Sequence, residues 1–416
     1  MSAKKTAFFT LLTLAGFLIF PQTSRCQDAI SAFISSSTED LSLKLYDNQI
    51  QFLNNKTYRM APIQGLQLRA QNNEFGSDKN EVSLRVTPAN PWEIRNTNRF
   101  FRSYKAALAF EKDLMLKEVL LIRYELILSM LYEQEMKELR EEVIKNINGQ
   151  VTIFERQNGS SFFDAKDYVD LKLEYMQEQT DLEESEFELI QKFDEIRKQD
   201  PKMVYNSSEW TYNLVIPVED LSEIVDSLIS ADLYTTTTSF YKEKISMANY
   251  DYKLEKNNFN IGFVQPEFNP YRTEGENPIG ISFGVSIPLF NPNKGDMAEK
   301  KLERIEAESE LAVETKLAEN EVSRLNNTLK NLIHRYDNIQ KKLDAFSIDE
   351  TFETVGALNS SNPLIFLKFN EQILKLKKLQ AEVKYEVFYN YVYLLAQSDL
   401  LHQPPLTNFL SKNLRK

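Results

Sequence analysis

The side chains that most often carry chemistry are scarce in this chain. Its two histidines, His334 and His402, stand 68 residues apart, too few and too distant to suggest imidazole catalysis or a His-rich metal site. The one cysteine, Cys26, excludes a disulfide framework and a thiolate zinc site. Carboxylates abound at 133–142, but at helical spacing on a solvated face and without a pocket signal. Eleven glycines in 416 residues is low for a nucleotide-binding α/β fold, which spends glycine on phosphate loops. The balance of 49 basic to 61 acidic residues, net −12, disfavours nucleic acid, whose binding needs a cationic footprint. No catalytic, cofactor-binding or metal-ligating residue is therefore expected, and an enzyme is not. A mean hydropathy of −0.42 with 26% charged residues excludes a bundle of membrane helices. A β-barrel stays open, because barrel strands are only half apolar.

The first 26 residues read as an export signal. Lys4 and Lys5 precede an apolar run over 6–20, and Pro21 opens a short polar stretch. Thr23, Ser24 and Arg25 make a poor lipobox, so removal near Cys26 is expected ahead of acylation at Cys26. The mature chain then holds 46 basic and 61 acidic residues, net −15.

The elements that must do the positioning fall into two kinds. Two stretches alternate with period two. In 63–88, Leu66, Leu68, Val82, Leu84 and Val86 interleave with Gln67, Arg69, Ser83 and Arg85. In 258–289, Phe259, Ile261, Phe263, Ile281, Phe283, Val285 and Ile287 interleave with small or uncharged residues such as Gly280, Ser282, Gly284 and Ser286. Both predict β-hairpins. A second face that is small and uncharged suits the crowded interior of a barrel better than the outside of a soluble sheet. The rest reads as helix: about 27–58, 92–148, 163–198, 218–256, 294–347 and 364–400. Over 322–346 the heptad is unbroken, and 364–400 carries a matching seam with polar Gln380 and Asn390.

The two halves repeat. Val82-Ser-Leu-Arg-Val-Thr-Pro88 parallels Ile281-Ser-Phe-Gly-Val-Ser-Ile-Pro288, each in the second strand of a hairpin. A helix above fifty residues, a polar turn and a return helix follow each. The expected organisation is a signal segment 1–26, a first repeat 27–217 and a second repeat 218–416. Pro88, Pro91, Pro288 and Pro292 stand where strands turn into helices, ending the ladder and fixing φ before the helix begins. Four strands leave two open edges, which lipid does not tolerate, so four membrane strands per chain demand an oligomer.

The segment 279–311, with its apolar-Pro-Leu-Phe-Asn junction, resembles the second-repeat signature of the TolC-type outer-membrane efflux proteins, and 356–400 resembles their last helical hairpin. The resemblance covers nearly all of 27–400, though the helix before the first hairpin is short for that family. It implies a mixed α+β membrane protein: long coiled-coil helical hairpins forming a periplasmic α-barrel, with four strands per protomer completing a twelve-stranded outer-membrane β-barrel in a homotrimer. It also implies an exit duct in the outer membrane of a Gram-negative bacterium, extending into the periplasm. Substrate would pass through it in a tripartite efflux or type I secretion system. The implied partners are a periplasmic adaptor, an inner-membrane transporter and outer-membrane lipid, with no nucleic acid. Leu66, Leu68, Val82, Leu84, Val86, Phe259, Ile261, Phe263, Ile281, Phe283, Val285 and Ile287 would face lipid.

The tips at about 154–168 and 354–368 would gate the tunnel and receive the adaptor, with Gly159, Asp164, Asp167, Gly356, Asn359, Ser360, Asn362, Pro363 and Lys368 as the candidate residues. Family members often close the entrance with acidic residues early in the last helix. Here 364–369 is apolar with Lys368, which leaves Asp164 and Asp167 as the better candidates. The plainer reading of those two, carboxylates complementing a helix N-terminus, weighs more. A secreted or periplasmic coiled-coil structural protein is the alternative; it accounts for the helices but not for the two hairpins.

Overall fold

The computed structural model describes residues 29–56, 58–72, 80–157, 163–204, 210–229, 235–269, 277–286, 293–345 and 363–412. The signal segment with Cys26, and Gly159, Gly356, Asn359, Ser360, Asn362, Ile287, Pro288 and Pro292, lie outside them.

The expected first helix is two helices, α1 (Ala29–Ser35) and α2 (Leu41–Asn54), with a 3-10 turn between them. The break falls on a hydroxyl run. Ser35, Ser36 and Thr38 each donate to a backbone carbonyl three or four residues back, competing with the helix ladder. Asp40 then caps α2 by accepting from the Ser42 amide at 2.9 Å. A hairpin follows, β1 (Ile63–Asn72) and β2 (Asn80–Pro88).

α3 (Pro91–Arg156) spans 66 residues, about 100 Å at 1.5 Å per residue. It runs eight residues past the expected end. Gly149 does not stop it, because Val151 and Phe154 continue its buried stripe. Leu367 of a neighbouring helix packs there, at the ordinary contact distance of 3.4 Å from where a Cβ on Gly149 would stand. The return helix α4 (Ala165–Gln199) completes the first helical hairpin.

The helix expected over 218–256 is also two, α5 (Val218–Ile229) and α6 (Thr235–Lys256). β3 (Gly262–Phe268), β4 (Ile279–Val285), α7 (Lys294–Ala345) and α8 (Pro363–Gln397) complete the chain. None of the described helices is long and apolar enough to cross a membrane.

The four strands form one antiparallel sheet in the order β1-β2-β3-β4, leaving β1 and β4 as edges. α3 is the spine of the helical layer. Near the sheet, contacts run α2, α3, α6, α7; farther away they run α4, α3, α8, α7. At the waist, one face of this layer is covered. There α1, Trp210, 215–225 and 400–410 pack on Leu120, Tyr124, Ile127, Leu128 and Met130 of α3, and on Val387, Phe388 and Tyr391 of α8. Burying side chains of this size stabilises by about 1.5–3 kcal/mol each, which concentrates the core here. Arg123, itself buried, donates to the Phe33 carbonyl and to Ser36 Oγ, fastening the α1–α2 break to the spine.

Candidate functional site

In an antiparallel ladder, directly paired residues share a face. Leu66 pairs with Val86 and Leu68 with Leu84; Val82 pairs with Phe268, Val264 with Phe283, and Phe268 with Ile279. One face of the sheet is thus a continuous apolar surface of Leu66, Leu68, Val82, Leu84, Val264, Phe268, Ile279, Ile281, Phe283 and Val285. Among the described residues nothing covers it: Leu68 and Phe283 are each 77% exposed.

The opposite face is a hydrogen-bonded polar wall. Arg85 Nε donates to Gln265 Oε1 at 2.7 Å. Gln265 Nε2 donates to Ser83 Oγ and Glu267 Oε1, and Ser282 Oγ donates to the same Glu267 oxygen at 2.6 Å.

Three residues expected on the apolar face are not there. Phe259 and Ile261 precede β3 and are half-buried. Phe263 points into the polar wall, where the Arg85 guanidinium lies 3.8 Å over its ring. The alternation over 259–263 belongs to a junction. The strand's apolar phase is Val264, Pro266 and Phe268, one residue out of step. Gly262, at φ 122°, sits where the phase changes. Gly284 makes the misplacement legible, since a Cβ there would meet the Phe263 ring at 2.5 Å. A bare glycine across from a large ring is the signal that the periodicity missed.

Two asparagines hold the strand-to-helix junctions. Asn90 caps α3 by accepting from the Trp92 amide at 3.0 Å, with Pro91 at the first helical position. Its amide nitrogen donates to the carbonyls of Asn257 and Phe259. Asn293, at the start of α7, donates to the carbonyls of Glu255 and Asn258 at longer distances. Pro88 is the last residue of β2 and faces Ile63. The prolines were readable from sequence; the asparagines beside them were not.

At the far end, Asp164 accepts from the amides of Lys166 (2.8 Å) and Asp167 (3.2 Å) and caps α4. Asp167 lines a cleft of about 340 Å³ with Asp170 and Glu174 of α4, and with Lys368 and Glu371 of α8. The two return helices thus bring Asp167 and Lys368 to one place. Glu371 stands beyond the 364–369 stretch and was missed. It accepts from Lys375 at 2.6 Å and from Gln150 at 3.2 Å. Burial, then the Glu371 charge, raises the Glu174 carboxyl above its ordinary range. Pro363 is the first residue of α8. α4 also bears a second apolar stripe, Val169, Leu173, Met176, Phe187 and Ile190, exposed on the side away from α3.

Near the waist, Asp399 is fully buried and adopts a left-handed backbone at φ 58°. Its Oδ1 lies 3.0 Å from Lys117 Nζ, and its Oδ2 accepts from the Thr237 amide at 2.8 Å. It therefore ties α3, the start of α6 and the end of α8. His402, beside it, bonds Thr236 Oγ1 at 3.0 Å, and burial lowers its pKa to about 4. Among the described residues, no three His, Cys, Asp or Glu side chains gather as a metal-binding group.

No protein-family model matches the chain, and no curated protein matches it in sequence. Solved structures do match in shape. The outer-membrane channel OprN aligns over 90% of this chain and 91% of its own, at TM-score 0.66 and 10% identity. VceC, an outer membrane protein from Vibrio cholerae, aligns over 89% and 96%, at 0.62 and 10%. The CmeC outer membrane channel of Campylobacter jejuni aligns over 92% and 87%, at 0.61 and 12%. With a four-stranded sheet of one apolar and one polar face, set on helical hairpins along nearly the full length of those proteins, this chain has the fold of the TolC-type outer-membrane channels.

Proposed function

We propose that the chain is one protomer of a TolC-type exit duct. It carries no catalysis and passes substrates out of the cell through the outer membrane. The observation that carries this reading is the sheet, with its uncovered apolar face, its hydrogen-bonded polar face and its two open edges. Such a sheet is stable in a bilayer only when closed. Three copies would close twelve strands, the apolar face toward lipid and the Arg85–Gln265–Glu267–Ser282 wall toward water. Apolar stripes left bare at both ends of the helical layer, Leu41, Leu45 and Phe52 on α2 against Leu302, Ile305 and Val313 on α7, support side-by-side copies.

In this reading 27–217 and 218–416 are two repeats of one plan, and the export signal ends near Cys26. The far ends of the hairpins, with Asp167 and Lys368 in their cleft, meet a periplasmic adaptor and an inner-membrane transporter. The net charge of −15, where it lines the tunnel, favours cations.

The test is direct. The chain expressed in a Gram-negative host should fractionate with the outer membrane as a heat-modifiable trimer, and should conduct ions in a planar bilayer. Reversal potentials in a salt gradient then read selectivity, and anion preference would overturn that part. A soluble, non-conducting oligomer would favour the coiled-coil structural protein instead.

A further inference from the structure

At the waist the two faces of the helical layer differ. The covered face carries a second layer of α1, α5 and the 400–410 segment. The other face, bare among the described residues, carries an aromatic ladder. Tyr385, Tyr389 and Tyr393 follow one another every four residues along α8, with ring centroids 6.1 and 5.8 Å apart. Tyr132 of α3 adds a fourth ring, 5.1 Å from Tyr385. All four are half-buried: their flanks touch neighbours and the remainder is open. Three copies of the covering layer cannot fit inside a tube whose wall is a single layer of helices. The bare face is therefore the inner one. This step rests on the duct proposed above.

The charges beside the ladder are mostly acidic. Burial, then the nearby Glu125 charge of α3, raises the Tyr389 phenol, and burial, then Glu125 and Glu133, raises that of Tyr385. Glu382 of α8 acts on Tyr132, as does Arg140 with opposite sign. Arg324 lies toward Tyr393 at the ladder's end and is held by Glu321 at 2.6 Å. Arg335 lies against Glu386 at 3.7 Å. Stacked phenol faces flanked by carboxylates suit one ligand chemistry, a flat organic cation, which gains from ring quadrupoles and net negative charge together.

We propose that Tyr132, Tyr385, Tyr389 and Tyr393, with Glu125, form a binding site on the inner wall for aromatic monocations. The ladder offers successive ring faces, so a cargo of this class moves along it from ring to ring. An aromatic anion meets the same rings but is repelled by Glu125, Glu133 and Glu382.

The experiment uses the full chain, reconstituted in nanodiscs, and two xanthene dyes of similar shape, cationic rhodamine 6G and anionic fluorescein. Fluorescence anisotropy should show saturable binding of rhodamine 6G and none of fluorescein, against empty nanodiscs as the blank. The Tyr385→Leu/Tyr389→Leu variant should weaken rhodamine 6G on the order of tenfold, since each exposed ring contributes a factor of a few. Glu125→Gln should weaken it about fivefold, the scale of one exposed charge pair. Tyr385→Phe/Tyr389→Phe keeps both rings and should stay within about twofold, which separates ring loss from misfolding. Equal binding of the two dyes, or unchanged affinity in the leucine variant, overturns the proposal. Bilayer conductance, measured on the same preparation without dye, reads the duct itself. A conducting protein that fails the dye test loses the ladder and keeps the duct; a protein that binds rhodamine 6G as expected without conducting loses the duct and the inner-wall placement, and keeps only the ladder's affinity for the dye.

Discussion

Asp399 offers the sharpest test of what holds the waist together. Its carboxylate does three jobs from a buried position with a left-handed backbone: it pairs with Lys117, accepts from the Thr237 amide, and sits where few L-residues sit without strain. Three substitutions separate these. Asp399→Asn keeps an oxygen for the Thr237 amide and tolerates the backbone, losing only the charge. Removing one partner of a buried pair costs about 3–5 kcal/mol, but Lys117 is about one-fifth exposed and can recover water, so about 2 kcal/mol is expected. Asp399→Gly loses the charge and the cap while relieving the backbone, for about 3 kcal/mol. Asp399→Ala loses the charge and the cap and adds left-handed strain, for about 4 kcal/mol. Denaturant midpoints of the detergent-solubilised protein should fall in the order Asn, Gly, Ala. Amide exchange at 236–240 should quicken in Gly and Ala but not in Asn. If Ala costs under about 1 kcal/mol, or Asn costs as much as Ala, the pair and the cap do not stabilise the waist as argued.

Other expectations follow from the same geometry. His402 is held neutral, with its pKa depressed from 6.5 to about 4. Its contribution is fully present above pH 6.5 and is lost as pH falls toward 4, by about 1.4 kcal/mol per unit and about 3 kcal/mol in all. His402→Gln should flatten that slope in denaturation measured from pH 7 to 4. Gly284→Ala places a Cβ against the Phe263 ring and should destabilise by about 1–3 kcal/mol; adding Phe263→Leu should restore much of it, and a purely additive double variant would dismiss the contact. Phe283→Lys puts a charge on the uncovered apolar face, at a cost of about 2–4 kcal/mol at mid-bilayer depth. Its yield in the outer-membrane fraction should fall, whereas Ser282→Lys on the polar face should insert normally.

What could be read in the sequence was what repeats with a fixed period. The alternation of Leu66 through Val86 fixes β1 and β2 to the observed register, because a slip of one residue would turn every apolar side chain over. The heptad from Val322 to Leu343 likewise announces the pairing of α7 with α8. What escaped depends on tertiary partners. Gly149 looks like an end and is a contact, since only the approach of Leu367 distinguishes the two. Ser35 to Thr38 look helical until their hydroxyls choose the backbone. Phe263 belongs to the polar wall because Gly284 leaves room and Arg85 lies above it. At the tips, Asp164 was legible as a cap from its place before a helix. Glu371 was not legible as a partner of Glu174, because the two are brought together only by the packing of α4 and α8 beside α3.

The two asparagines at the strand-to-helix junctions have a mechanical consequence. Asn90 and Asn293 reach from the starts of the two long helices into one short segment, 255–259, and grip it from both sides. That segment becomes a collar, through which a lever force on either helix is shared with the other instead of passing into one hairpin. In the duct proposed above, the two long helices would therefore enter the sheet as one mechanical unit, the 255–259 carbonyls serving as the shared anchor of both.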